Sequence, residues 1–425
     1  MKKQIFSLFC ALILFLNLNP IAPASALEGD AVRAADTLHT LGLLKTVNYA
    51  VKDTANRVTA AVFLVQLGGI NPPTGGKSPF SDTPDWAADS LAYAAGQGWI
   101  TGVEGGVFDA YGPLTSSAWF TMLLRMLGWK DSEGAFKSNN AAVFARRVGL
   151  SSRDYPASMS RGDLYESILD ALAFKLPDGS GTVAARMVRN GICTQSAVNA
   201  VGLSSDILTA RQIADRHMAA VFALNLYESK EQAAQNNPSS NATGFFLNQD
   251  GVAVTSCHTL EDAAYGLATL ITGESYEIER VIWMDSNLDL AVIRVSKTST
   301  TSEITPGFAY LEISDSSEIR PGDIVYTLSN SLGLGLAITS GIVSSVTKDT
   351  KLYGFPCVMN TAGISQGSSG GAVLNIYGHV IAVAAGAFRL GNEMYVSVPA
   401  DLIKSVDFNS TGESLQTAGK RFARS

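Results

Sequence analysis

Along residues 28–175, apolar positions recur at three- and four-residue spacing in stretches such as RVTAAVFLVQLGG, WAADSLAYAAGQGW, SSAWFTMLLRMLGW and RGDLYESILDALAF. That is the period of one helix face. Turns rich in glycine, aspartate and proline separate the stretches, so the pattern predicts helices joined by short connections. A short helix ending near glycine, a turn-rich spacer and a helix ending in LGG, LGW or LAF recur in that order. The unit of roughly fifty residues is present about three times. Units of this kind bury their apolar faces against one another, so residues 28–70, 71–132 and 133–175 predict one bundle-like, all-α domain. From about residue 208 the pattern shortens to β-rich runs between turns, among them TGFFLNQDGVAVTS, LDLAVIRV, AITSGIVSSV, HVIAVAAG and MYVSVP. Many short strands at such spacing predict an all-β barrel or sandwich over residues 208–408. Residues 176–207 read as a connecting segment with some helical pattern, 228–243 as an exposed loop, and 409–425, ending in GKRFARS, as a solvated tail.

A chain of 425 residues is too long for one compact core, which agrees with a division into domains. The net charge of −7 argues against nucleic acid as a main partner, because phosphate binding needs a basic face. At the start, MKKQ supplies two lysines, IFSLFCALILFL is apolar, and APASALEG offers small residues around Ala24-Ser25-Ala26. This three-part layout predicts a secretory signal peptide over residues 1–26, cleaved after Ala26. The apolar run stops at Asn17 and Pro20, short of the ~20 residues needed to span a bilayer. Cys10 would leave with the signal, and Cys193, Cys257 and Cys357 are too few for a disulfide framework. A Cys257–Cys357 pair stays open at this point. No clustered His/Cys spacing suggests a metal site, and no metal or cofactor is expected.

The helical half resembles a family. The stretch from Phe80 to Trp129, FSDTPDWAADSLAYAAGQGWITGVEGGVFDAYGPLTSSAWFTMLLRMLGW, is similar to a complete S-layer homology repeat, and 30–70 and about 136–175 match more loosely. The resemblance implies anchoring of an exported protein to a secondary cell-wall polymer. The family's polymer-binding signature is Thr-Arg-Ala-Glu at the start of the last helix. The matching places here read NRVT, TSSA and SRGD, so Arg57 and Arg161 keep the cation and Ser116 replaces it. A planar guanidinium suits an anionic ligand.

In the β half, the stretch QGSSGGAVLN raises the question of a nucleophilic serine. Such a serine needs a base within hydrogen-bond reach and a carboxylate to orient it. Of the four histidines, His39 lies in a helical repeat, His217 near the start of the β half, and His379 in an apparent turn. His258 follows the apolar run GVAVTSC directly and stands at a strand-to-turn junction. Asp289 opens the alternating strand LDLAVIRV, with Asp285 as a competitor for the carboxylate. The order His, Asp, Ser is one of the known triad orders.

The blocks TGFFLNQDGVAVTSCHTL, DSNLDLAVIRV, SLGLGLAITSGIVSSV, NTAGISQGSSGGAVLNIYGHVIAV and MYVSVPADLI resemble those of HtrA/DegP-type, trypsin-like serine peptidases over about residues 210–405. The Gly-x-Ser-Gly-Gly block then puts Ser369, not Ser368, at the nucleophile, with His258 as base and Asp289 as its orienting carboxylate. It implies an oxyanion hole made by the backbone N–H groups of Gly367 and Ser369. Gly363 and Ile364 would line the specificity pocket, where neither can pair a basic side chain, so cleavage after small or medium apolar residues is expected. Cys257 beside the histidine is not expected to be the nucleophile, since neighbours along a strand face opposite ways. The resemblance would put a C-terminal PDZ domain, as in many relatives, after VSVPADLI, but only about twenty residues follow, so none is expected. Together these readings imply an exported, cell-wall-associated endopeptidase of a Gram-positive-type bacterium, acting on misfolded or surface proteins. The rival is a non-catalytic wall-bound binding protein on a peptidase fold.

Overall fold

The computed structural model describes residues 24–347, 357–387 and 394–422. Most of the expected signal peptide lies outside the described residues, and no helix among them is long and apolar enough to cross a membrane. The first half is built from α1 (Ala24–Thr40), α2 (Arg57–Leu67), α3 (Ala88–Gly96), α4 (Ser116–Met126), α5 (Ala141–Arg147), α6 (Arg161–Ala173), α7 (Val183–Arg189) and α8 (Gln195–Ala200).

Helices α2, α4 and α6 begin alike. Their capping residues Asn56, Thr115 and Ser160 accept the backbone N–H groups of Thr59, Ala118 and Asp163. Each cap satisfies a donor that the helix start would otherwise leave free. Just ahead of the caps the chain closes a ring: Ala55 N–H donates to the Met159 carbonyl, Met159 to Leu114 and Leu114 to Ala55, at 2.8 to 3.0 Å. Three equivalent segments therefore meet around a pseudo-threefold axis, which explains the repeat in the sequence. Phe63, Leu64, Trp119, Phe120, Tyr165 and Ile168 fill the shared core.

The segment 176–207 is not a simple connection. Leu176, Val183, Ala184, Met187 and Val198 belong to the same core as the repeats, and Arg186 donates to the Leu67 carbonyl at 2.9 Å. Spacing of three and four between Ala184, Met187 and the preceding Val183 gives α7 an apolar face, so it docks on the repeats and extends their core.

Helix α9 (Ala210–His217) leads into the β half, where the described residues form twelve strands. The first barrel contains β1 (Val221–Tyr227), β2 (Ser240–Phe246), β3 (Val252–Ser256), β4 (Tyr265–Leu270), β5 (Ser275–Asp285) and β6 (Leu290–Ser299), closed in the order β1-β2-β3-β6-β5-β4. The expected exposed loop 228–243 is only partly so: Lys230–Ala234 form a short helix, α10, and 240–243 already belong to β2, with Thr243 buried. The second barrel contains β7 (Ile324–Ser329), β8 (Ala337–Thr347), β9 (Cys357–Asn360), β10 (Ala372–Leu374), β11 (Val380–Ala387) and β12 (Tyr395–Pro399), closed as β10-β11-β12-β9-β8-β7. Closure removes the free edges that an open sheet would expose. Alternation sets the layers: Ala253 of β3 enters the first barrel's core, while Val252 and Val254 join Leu328, Ala372 and Val383 between the barrels. Strand ends and turns from both barrels thus gather along one junction.

The C-terminal residues are not a solvated tail either. Helix α11 (Leu415–Phe422) packs Leu415 and Ala418 into the first barrel's core. A Cβ at Gly419 would come within 2.7 Å of the Leu260 and Ala263 carbonyl oxygens, so the helix lies against the turn after β3. Leu415 and Ala418 sit among polar and charged neighbours, which hid the helix in the sequence pattern. Cys193, Cys257 and Cys357 are buried free thiols. Cys257 and Cys357 occupy separate hydrophobic clusters, so the open question of their pairing resolves against a bridge. Polar contacts join the two halves: buried Arg147 of α5 meets Glu274 at 2.7 Å, and Lys175 meets Glu312 at 2.7 Å.

Candidate active site

His258 sits in the single helical turn Cys257–Leu260 that ends β3, and Asp289 in the turn joining β5 to β6. Asp289 has φ +54°, in the left-handed region that aspartate and asparagine tolerate better than other side chains. That backbone turns its carboxylate onto a single residue. One oxygen accepts the His258 backbone N–H at 2.8 Å and the other meets His258 Nδ1 at 2.7 Å. With the proton held on Nδ1, Nε2 is the lone-pair nitrogen, and it lies 3.1 Å from Ser369 Oγ. Ser369 Oγ is also 3.3 Å from the Ala385 carbonyl oxygen. Asp285, the competing carboxylate, instead accepts the N–H groups of Asn287 and Leu288 and closes the turn.

Electrostatics favour a poised base. Burial pulls the His258 pKa down, but the hydrogen bond and charge of Asp289, with Glu261 beyond it, raise it above the ordinary histidine value on balance. The adjacent Cys257 thiol is pushed up to about 12, by burial first and then by the Asp289 charge. It stays protonated and inert at neutral pH.

The loop before β10 carries the serine. Gly367 has φ +91° and a Cβ there would lie 2.5 Å from the Asn330 carbonyl oxygen; Gly370 has φ +85° and a Cβ there would lie 2.2 Å from that of Thr243. Both positions require glycine. The Gln366 carbonyl accepts Leu332 N–H at 2.6 Å and the Ser368 carbonyl accepts Gly371 N–H at 2.9 Å. Carbonyl and N–H of a trans peptide point opposite ways, so the Gly367 and Ser369 N–H groups turn away from these contacts.

Of the proposed pocket residues, Ile364 packs on the second barrel's core, and Gly363 faces Tyr395, whose hydroxyl oxygen would lie 3.7 Å from a Cβ at 363. Tyr395 was not singled out in the sequence; only its place at the start of MYVSVP hinted at it. His379 lies apart from Ser369, in a turn 3.8 Å from Glu312. His217 is mostly buried beside α9's end, where burial and then the Arg216 charge lower its pKa to about 4. Arg57 and Arg161 lie in the helical half, as the first residues of α2 and α6. Arg57 Nε donates to the Phe108 carbonyl at 2.9 Å and Arg161 Nε to the Tyr165 hydroxyl at 2.9 Å. No group of three or more His, Cys, Asp or Glu able to hold a metal occurs among the described residues.

Residues 242–383 match the family described as "Trypsin-like peptidase domain". The chain is 29% identical over 174 residues to the "Probable periplasmic serine endoprotease DegP-like" of Rhizobium meliloti (strain 1021), covering 40% of this chain and 33% of that protein. It is 32% identical over 171 residues to a protein of the same description from Chlamydia trachomatis serovar D, covering 40% and 32%. The chain thus spans about a third of the length of these curated relatives. Among solved structures, "HtrA-type protease AlgW with tripeptide" aligns with a TM-score of 0.40 at 22% identity, over 46% of this chain and 60% of that one. The double barrel that carries His258, Asp289 and Ser369 is a trypsin-like peptidase domain of the HtrA/DegP type.

Proposed function

We propose that the chain is an exported serine endopeptidase that hydrolyses peptide bonds through Ser369, His258 and Asp289, and that its helical half tethers it to a secondary cell-wall polymer. The observation that carries the first part is the continuous chain Asp289–His258–Ser369, with contacts of 2.7 and 3.1 Å. In the acylation step Ser369 Oγ attacks the scissile carbonyl carbon and its proton passes to His258 Nε2. The carbonyl oxygen becomes an oxyanion that the Gly367 and Ser369 N–H groups would receive. The C–N bond then breaks as His258 returns the proton to the leaving amine, leaving an acyl ester on Ser369. Water, deprotonated by the same nitrogen, releases the acid and restores the serine. Asp289 holds the imidazole in the required tautomer throughout.

Gly363, Ile364 and the Tyr395 hydroxyl supply no negative charge for a basic substrate side chain, which supports cleavage after small or medium apolar residues. Incubating the purified chain with an unfolded protein and mapping the new termini by mass spectrometry tests this. Cuts clustered after residues such as alanine, valine and leucine are expected. Absence of cleavage in any buffer would shift the balance to the binding-protein reading.

Export is supported by the N-terminal pattern and by the description of the relatives as periplasmic. Wall attachment is supported by the pseudo-threefold ring and by the equivalent placing of Arg57 and Arg161 as first helical residues. Arg57 also borders a cleft of about 370 Å³ with Thr101, Ser117, Thr121, Arg125 and Ser138. Losing a charge-assisted hydrogen bond weakens binding by roughly 10-fold. Arg57→Ala is therefore expected to raise the apparent Kd for isolated Gram-positive walls roughly 10-fold in a co-sedimentation titration. Equal retention of the variant, or of wild type on walls stripped of their anionic polymer, would contradict the assignment.

A further inference from the structure

Behind the proposed oxyanion hole lies a cluster of hydroxyl groups that the hydrolytic steps do not use. Ser368 is fully buried. Its Oγ lies 2.7 Å from Ser331 Oγ, receives the Ser329 hydroxyl at 3.1 Å and accepts the Ser365 N–H at 3.2 Å. Ser329 and Ser331 are themselves 3.3 Å apart. Ser329 ends β7, and Ser331 opens the turn whose next residue, Leu332, holds the Gln366 carbonyl. Leu332 takes φ +60°, an unusual backbone for leucine that belongs to the turn aiming this N–H.

A second anchor comes from the other barrel. Thr243 of β2 donates its hydroxyl to the Gly367 carbonyl at 2.7 Å and accepts Asn330 N–H on the same oxygen at 2.9 Å. Its own N–H donates to the Ser369 carbonyl at 2.9 Å. Every carbonyl from Gln366 to Ser369 is therefore tied: to Leu332, to the Thr243 hydroxyl, to Gly371 and to the Thr243 N–H. The peptide planes of the loop are fixed with the Gly367 and Ser369 N–H groups left over. Among the described residues around Ser368, neutral hydroxyls do this work, each with one proton to give and two lone pairs to receive. Burial makes the cluster specific, because a hydroxyl left without its partner there has no water to replace it.

We propose that Ser329, Ser331 and Ser368 are positioning residues which hold the oxyanion loop in its reactive shape in the free chain, with no charged group and no activating ligand required. The proposal rests on the serine-peptidase reading. Ser331 is the member to vary, because it is only partly buried and its substitutions need not disturb the core. Ser331→Thr keeps the hydroxyl, whereas Ser331→Val has nearly the same shape without it. Misplacing a catalytic group by about an ångström costs on the order of 100-fold. The Val variant is therefore expected to lose ~10- to 100-fold in kcat on a chromogenic peptide and in the rate of phosphonylation by a fluorophosphonate. KM and the acid limb of the pH profile, which report binding and His258, are expected to stay where they are in wild type. The Thr variant is expected to retain most of the wild-type rate. Equal rates for the Thr and Val variants, or a parallel change in KM, would overturn the clamp while leaving the peptidase reading intact. A wild-type chain that does not react with the phosphonate would overturn both.

Discussion

Replacing Ser369 by alanine is expected to lower kcat on a peptide substrate by about 10⁵- to 10⁶-fold. The loss is large because only the Oγ atom can form the acyl ester. Once it is gone, His258 has no hydroxyl proton to take and Asp289 no such transfer to support. A residual acceleration of roughly 10³–10⁴ over water is expected from the oxyanion donors and substrate binding alone. Folding is expected to be unaffected, since Ser369 is only partly buried and its hydroxyl makes contacts of 3.1 and 3.3 Å rather than short ones. The thermal unfolding midpoint of the variant, measured beside its kcat, separates lost chemistry from lost structure. A variant that keeps a tenth of the wild-type rate would place the nucleophile elsewhere.

The second large effect is expected at Asp289. Asparagine tolerates the left-handed backbone at this position, so Asp289→Asn is expected to fold. Its single carbonyl oxygen can accept the His258 backbone N–H, which turns the amide NH₂ toward Nδ1. The imidazole then carries its proton on Nε2 and can no longer accept one from Ser369. A fall in kcat of ~10⁴-fold is expected. The pH profile provides a separate check. Asp289 contributes to raising the His258 pKa, so the acid limb of kcat/KM in wild type is expected above pH ~6.5. In the Asn variant the limb is expected to move to lower pH. The linkage to stability has the opposite sense. A histidine whose folded pKa exceeds its unfolded value stabilises the fold below the unfolded pKa, and that contribution disappears as pH rises through the folded one. Activity appears over the same interval, because only neutral His258 acts as a base. An unshifted limb in Asp289→Asn would show that the carboxylate does not govern the imidazole.

Much of this site was legible in the sequence, for identifiable reasons. His258, Asp289 and Ser369 each stand beside a strand whose apolar alternation is plain, and the glycines around Ser369 restrict the turn to few conformations. The choice between Asp285 and Asp289 was not legible from pattern alone; it depends on which carboxylate closes the β5–β6 turn and which is turned out by a left-handed residue. Thr243, Ser329 and Ser331 could not have been found by spacing, because their role arises where β2, β7 and the serine loop meet across the barrel junction. Tyr395 faces Gly363 through the same kind of long-range closure. The helical repeats were legible because each carries a full helix period. Helix α7 showed only as some helical pattern within 176–207 and α11 not at all, since their short apolar faces become informative only once there is a neighbouring core for Met187 or Ala418 to enter.

The most direct measurement is the mass of the purified chain after reaction with a fluorophosphonate, followed by sequencing of the modified peptide, for wild type, Ser369→Ala and Ser368→Ala. A single adduct on Ser369 in wild type, absent from Ser369→Ala and still present, though formed more slowly, in Ser368→Ala, is the predicted result. An unmodified wild-type chain, or an adduct that survives in Ser369→Ala, would contradict the assignment of Ser369 as the nucleophile of this peptidase domain.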